Sequence, residues 1–99
     1  MIFITEEKEI SHNNIVVLYF YASWMPFHKK MITMISKMEN KYSNIKFYAI
    51  DTDYFKSLCN IYKVKSIPEI IINKDGKEIK RANGLIMTSA FKSLFADIC

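Results

Sequence analysis

The stretch Ile15-Val16-Val17-Leu18-Tyr19-Phe20-Tyr21 is an unbroken run of β-branched and aromatic side chains. Polar residues do not alternate through it, so both faces call for burial, the pattern of a central strand rather than a surface one. Downstream, Pro26 suits the first turn of a helix, where its missing N–H costs nothing. Phe27, Met31, Met34, Ile35, Met38 and Tyr42 then recur at helical spacing toward Asn44. Lys46 to Asp51 reads as a second strand. A strand, a crossover helix and a strand predict a parallel pair joined with right-handed connection.

Upstream, Met1 to Thr5 reads as a short strand and Glu6 to Asn13 as a short acidic helix or turn. On the far side, Asp53 is placed to cap a helix whose Phe55, Leu58, Cys59 and Tyr62 share one face. Ile70-Ile71-Ile72 and Glu78 to Ala82 flank Lys74-Asp75-Gly76-Lys77, and Asp-Gly between strand-like runs is a strong hairpin signal. Lys80 and Arg81 suit an exposed edge that must not aggregate. Thr88 reads as the N-cap of a last helix with Phe91, Leu94, Phe95 and Ile98 on one face. The order is β-α-β-α-β-α-β-β-α, an α/β fold with a central mixed sheet flanked by helices on both faces.

Ninety-nine residues make room for one domain, taken as 1–99. A composition 51% hydrophobic, 14% aromatic and 24% charged is that of a globular chain. The longest apolar run is far too short to span a bilayer, and the start lacks the basic and cleavage features of a secretory signal. A cytoplasmic protein is expected. The net charge of +4 is mild and its lysines are scattered, with Arg81 the only arginine. This argues against nucleic acid as a partner, because bidentate reading of phosphates and bases relies on arginine.

From Val16 onward the chain resembles thioredoxin. Val17-Leu18-Tyr19-Phe20-Tyr21-Ala22-Ser23-Trp24 looks like the strand leading to the family's active-site tryptophan, and Asp51-Thr52-Asp53 like the end of the next strand. Tyr62-Lys63-Val64-Lys65-Ser66-Ile67-Pro68 looks like the approach to the family's cis-proline. Asp75-Gly76-Lys77 is similar to its hairpin and Gly84 to the glycine after the last strand. The resemblance implies the thioredoxin fold. Where the family has Trp-Cys-Gly-Pro-Cys-Lys, this chain has Trp24-Met25-Pro26-Phe27-His28-Lys29. By that resemblance Met25 stands at the attacking thiolate, His28 at the resolving thiol, and Tyr19 at the buried Asp that moves protons. A thioether cannot attack a disulfide sulfur, so dithiol–disulfide oxidoreductase activity is not expected, and neither is any catalytic residue.

Other chemistry is thinly represented. Cys59 reads as a small buried hydrophobe on its helix face, and Cys99 as a terminal residue able to crosslink chains on oxidation. Met25 and His28 are too few for a soft-metal site once Met31, Met34 and Met38 are assigned to the core stripe, so no metal or cofactor is expected. His28 is expected to pack or hydrogen-bond near the start of its helix as a neutral imidazole. Glu69 is expected to flank the groove, and Lys29, Lys30, Lys63 and Lys65 to rim it. No glycine-rich phosphate loop or Ser-His-Asp spacing is present.

What the resemblance leaves is the family's shallow groove for an extended chain, here Trp24, Met25, Phe27, Ile67, Pro68 and Gly84. The expected function is a redox-inactive binding or assembly module for a protein or extended peptide, as a monomer or weak homo-oligomer. Two alternatives stand beside it. One is a divergent oxidoreductase using Cys59, Cys99 or borrowed glutathione; the other is a structural subunit assembling through a helix face or the strand near Lys80.

Overall fold

A computed structural model describes residues 1–86 and 88–96. In chain order these form β1 (Ile2–Phe3), a 3-10 turn (Glu7–Glu9), β2 (Ile15–Tyr21), α1 (His28–Lys41), β3 (Lys46–Asp51), α2 (Lys56–Ile61), β4 (Glu69–Lys74), β5 (Lys77–Asn83) and α3 (Thr88–Ser93). One five-stranded sheet has the order β1-β3-β2-β4-β5, with β2 at its centre. β1 and β2 both run parallel to β3, while β4 is antiparallel to β2 and to β5. The α/β architecture with a mixed sheet is the one the element order predicts.

Successive side chains of a strand point to opposite faces, so the unbroken run in β2 divides between two cores. Val17, Tyr19 and Tyr21 pack with Ile70 and Ile72 of β4 under Met31, Ile35 and Met38 of α1 and Phe91 of α3. Val16, Leu18 and Phe20 pack on the other face with Tyr48, Ile50 and Ile71 under Leu58 of α2, closed by Ile4 and Ile10. Helices therefore cover both faces. Each buried aliphatic or aromatic side chain of this kind stabilises the fold by about 1.5–3 kcal/mol.

The hairpin turn falls at Asp75 and Gly76, with φ of 50° and 82°. Positive φ at both central positions is the turn whose twist matches the flanking strands. The Asp75 carboxylate also accepts the Asn14 N–H at 2.9 Å, and the Asp75 N–H donates to the Asn14 carbonyl at 2.9 Å. The turn is thus tied to the start of β2.

Several local expectations are corrected. The first strand is only Ile2–Phe3, and the acidic segment makes one 3-10 turn closed by the Glu9 carboxylate on the Thr5 and Glu6 N–H groups. Pro26 lies in the turn before α1, because that helix starts at His28 with Phe27 as its N-cap. Phe27 consequently leaves the apolar stripe and is exposed. Asp53 does not cap α2, whose N-cap is Phe55. Instead the Asp51 carboxylate accepts the Asp53 N–H at 2.9 Å, and the Asp53 side chain turns toward Trp24. Thr88 is itself helical; its capping side chain, Ile98 and the crosslinking cysteine Cys99 lie outside what the structure describes.

Arg81, read as guarding an exposed edge, is folded inward. Its Nη2 donates to Glu78 at 2.8 Å and to the Tyr62 carbonyl at 2.6 Å, and its Nη1 lies 3.5 Å from the Glu69 carboxylate. Glu69, expected beside the groove, is buried and paired here. Arg81→Met leaves a buried carboxylate without its cation and uncaps a carbonyl at the end of α2. A loss of about 1–3 kcal/mol in urea unfolding is expected; a change within a few tenths would show that the guanidinium holds nothing together.

Candidate functional site

Strand polarity puts the site at one end of the sheet. β2 and β3 end there, β4 begins there, and β5 ends opposite the start of β4 with Glu69 facing Asn83. The loops after Tyr21 and Asp51, the loop before Glu69 and the residue after Asn83 therefore share one edge. Thr52 joins two of them, its N–H and hydroxyl both donating to the Tyr21 carbonyl, at 2.9 and 3.1 Å.

Trp24 projects from this edge with 70% of its surface exposed. Its indole N–H donates to Asp53 Oδ2 at 3.2 Å, so the ring is held by a partner from the next strand's loop. Phe27 is also exposed, whereas Met25 is buried in the α1-side core. Met25 is thus a packing residue: its N–H returns to the Ala22 carbonyl at 3.0 Å, and its thioether lies inward. That corrects its placement among the groove-lining side chains.

The Ile67–Pro68 bond is cis, with Pro68 buried and Ile67 half-buried against both cores. Asn83 fastens this loop, its side-chain N–H donating to the Ser66 carbonyl at 3.1 Å, the Ser66 hydroxyl at 2.9 Å and Glu69 Oε2 at 2.8 Å. The Gly84 N–H adds a bond to the Pro68 carbonyl at 2.8 Å. Gly84 has φ of 88°, a conformation glycine adopts without penalty. Nothing in the sequence pattern marked Asn83 as the clamp, because one asparagine beside a glycine looks like any strand end. Lys29, Lys30, Lys63 and Lys65 are all exposed, in the segments expected to rim the edge.

Beneath the edge lies an aromatic pair of different character. The Tyr19 hydroxyl is 3.0 Å from His28 Nδ1, and the imidazole stacks on Tyr21 with centroids 4.5 Å apart. Burial pushes the Tyr19 hydroxyl far above its ordinary pKa, so it stays protonated and shares a hydrogen bond with Nδ1. Burial also lowers the His28 pKa, an effect that the nearby Asp51 carboxylate partly offsets. The imidazole is therefore neutral, as expected, although burial rather than the helix dipole is the main cause. Among the described residues no group of three or more His, Cys, Asp or Glu could hold a metal.

The thioredoxin family profile matches residues 4–97. The chain belongs to the thioredoxin family. Thioredoxin-2 of Saccharomyces cerevisiae is 35% identical over 74 residues, 75% of this chain and 71% of that protein. An H-type thioredoxin of Fagopyrum esculentum is 28% identical over 78 residues, 79% of this chain and 67% of that one. Among solved structures, a Plasmodium falciparum thioredoxin superposes with a TM-score of 0.90 at 22% identity, covering 100% of both chains. The thioredoxin NaTrxh of Nicotiana alata gives 0.87 at 24% identity, over 98% of this chain and 90% of that one.

The two cysteines of this chain are Cys59 and Cys99, so no Cys-x-x-Cys pair exists anywhere in it. Cys59 sits half-buried on the α2 side, and burial pushes its thiol pKa up. A raised thiol pKa means little thiolate, the species that does exchange chemistry.

The His28 shift sets a pH dependence. Above about pH 6.5 both folded and unfolded chains hold a neutral imidazole and nothing is gained or lost. As pH falls through that value the unfolded chain protonates first, so stability drops until the folded imidazole also titrates. His28→Asn is expected to lose less melting temperature than wild type between pH 8 and pH 5. Equal losses would place the acid-sensitive group elsewhere.

Proposed function

We propose that this thioredoxin-family protein is a redox-inactive binding module that takes an extended segment of a protein partner along the Trp24, Ile67 and Gly84 edge. Trp24 carries the reading. A large exposed indole already fixed by Asp53 loses little freedom on binding, and tryptophan is among the residues that dominate interface energetics. Phe27 extends the exposed apolar surface. Among the described residues neither the N–H nor the carbonyl of Ile67 has a hydrogen-bond partner, which leaves both free for a strand-like segment. The positions that the family resemblance assigns to the thiols and their proton carrier hold Met25, His28 and Tyr19. Met25 is core and the other two are bonded to each other, an arrangement with no nucleophilic sulfur.

Thiol–disulfide exchange through Cys59 is the competing reading, and its raised pKa argues against it. Affinity capture from the native host's lysate with wild type and with a Trp24→Asp/Ile67→Asp variant separates the two readings. A partner held by wild type and lost by the folded variant is the expected outcome, together with insulin reduction no faster than a Cys59→Ser/Cys99→Ser control. Equal capture by both proteins would move the interface off this edge, and a cysteine-dependent insulin rate would restore the enzyme.

A further inference from the structure

Beside Ile67, between α2 and the cis-proline loop, lies a hollow of about 180 Å3 lined by Thr52, Cys59, Val64, Lys65, Ser66 and Ile67. That is well below the ~300–1,000 Å3 typical of drug-sized ligands and suits a single side chain. Lys65 and Ser66 are exposed and the other four residues half-buried, so an occupant can reach the lining from outside.

The polar groups here are donors without acceptors. Among the described residues the Lys65 ammonium makes no ion pair or hydrogen bond, which leaves its three N–H groups available. The Ser66 hydroxyl oxygen takes the Asn83 N–H at 2.9 Å, and its own proton has no acceptor among the described residues. The Thr52 proton is committed to the Tyr21 carbonyl at 3.1 Å. No carboxylate lines the hollow. Those nearby in sequence are engaged elsewhere: Asp51 accepts the Asp53 N–H, Asp53 accepts the Trp24 indole N–H, and Glu69 is paired with Arg81. A half-open site with an available cation, an available hydroxyl proton and the apolar walls of Val64 and Ile67 selects an anion on a short apolar stem.

We propose that the segment taken along the Trp24, Ile67 and Gly84 edge is acidic at one fixed position, its aspartate or glutamate carboxylate seated in this hollow on the Lys65 ammonium and the Ser66 hydroxyl. Successive side chains of an extended segment point to opposite sides, so alternate residues present theirs toward the α2 side, where the hollow lies. This charge preference presupposes that the edge binds such a segment at all, as proposed above.

Selection of a phage-displayed library of random nonapeptides on the whole chain tests it, with the Kd of selected peptides measured by calorimetry. Wild type is expected to enrich peptides with an acid at one position, and a Trp24→Asp/Ile67→Asp variant to enrich none of them. Lys65→Glu, an exposed substitution expected to fold, should weaken a selected peptide at least about tenfold. Exchanging that peptide's acid for a lysine should then recover binding to Lys65→Glu and lose it on wild type. Lys46→Glu makes the same charge change at the far end of β3 and is expected to alter affinity by less than about twofold. Peptides that need Trp24 and Ile67 but share no acidic position, or that bind Lys65→Glu as tightly as wild type, would overturn the acidic preference and leave edge binding standing. An equal loss in Lys46→Glu would reduce the effect to net charge and overturn the preference too. No enrichment by wild type, or enrichment undiminished in the Trp24→Asp/Ile67→Asp variant, would remove the edge reading and this proposal with it.

Discussion

The burial of β2 on both faces is the constraint on which everything else rests. With β3 on one side and β4 on the other, this strand is buried from Val16 to Tyr21, and Val17, Leu18, Tyr19 and Phe20 have no accessible surface. Its neighbours need not be so apolar. β5 can carry lysines and a bulge because it lies at an edge and is paired only on its inner side. β1 can be two residues long because it only closes the opposite margin. The loop that leaves the end of β2 therefore starts from the central, deeply buried strand of the sheet. Trp24 projects from that loop and is held from a second strand's loop by Asp53.

The same strand explains how the protein accommodates a buried tyrosine beneath its loop edge. A tyrosine hydroxyl buried in an apolar layer must find a partner, since leaving it unbonded would cost as much as a good core residue contributes. Tyr19 finds it in His28, the first residue of α1, and Tyr21 stacks on the same ring. The pair closes the space beneath the edge with neutral groups. Thiolate chemistry calls for the reverse: a partly exposed, electropositive pocket that favours an anion on sulfur. Tyr19 and His28 are thus mutually consistent, each satisfying the group the other brings into the apolar layer.

How much of this was legible in the sequence depended on whether the signal was local. The apolar run at 15–21, the helical spacing from Met31 to Met38 and the Asp75-Gly76 turn are set by local periodicity and backbone sterics, so strand, helix and hairpin could be read directly. Misreadings arose where two segments compete for one group. Asp53 looks like a helix cap from its neighbours alone, but the Trp24 indole reaches it across a loop. Arg81 looks like an edge guard, yet two carboxylates and a carbonyl draw it inward. Met25 sits between an exposed tryptophan and an exposed phenylalanine, and only the turn geometry sends it into the core. That the buried Asn73 oxygen lacks a partner among the described residues was illegible for the same reason, because satisfaction is a property of the surroundings and not of the residue.

Trp24 is the only tryptophan in the chain, and it stands largely in solvent while the folded core is built from other aromatic rings. Its fluorescence consequently reports on the edge and says little about the interior. Unfolding moves this indole from one aqueous setting to another, whereas anything that settles on the edge carries it into an apolar one. The protein thus contains an optical probe of the edge's surroundings, while the rings of Tyr19, Tyr48 and Phe91 keep the record of folding.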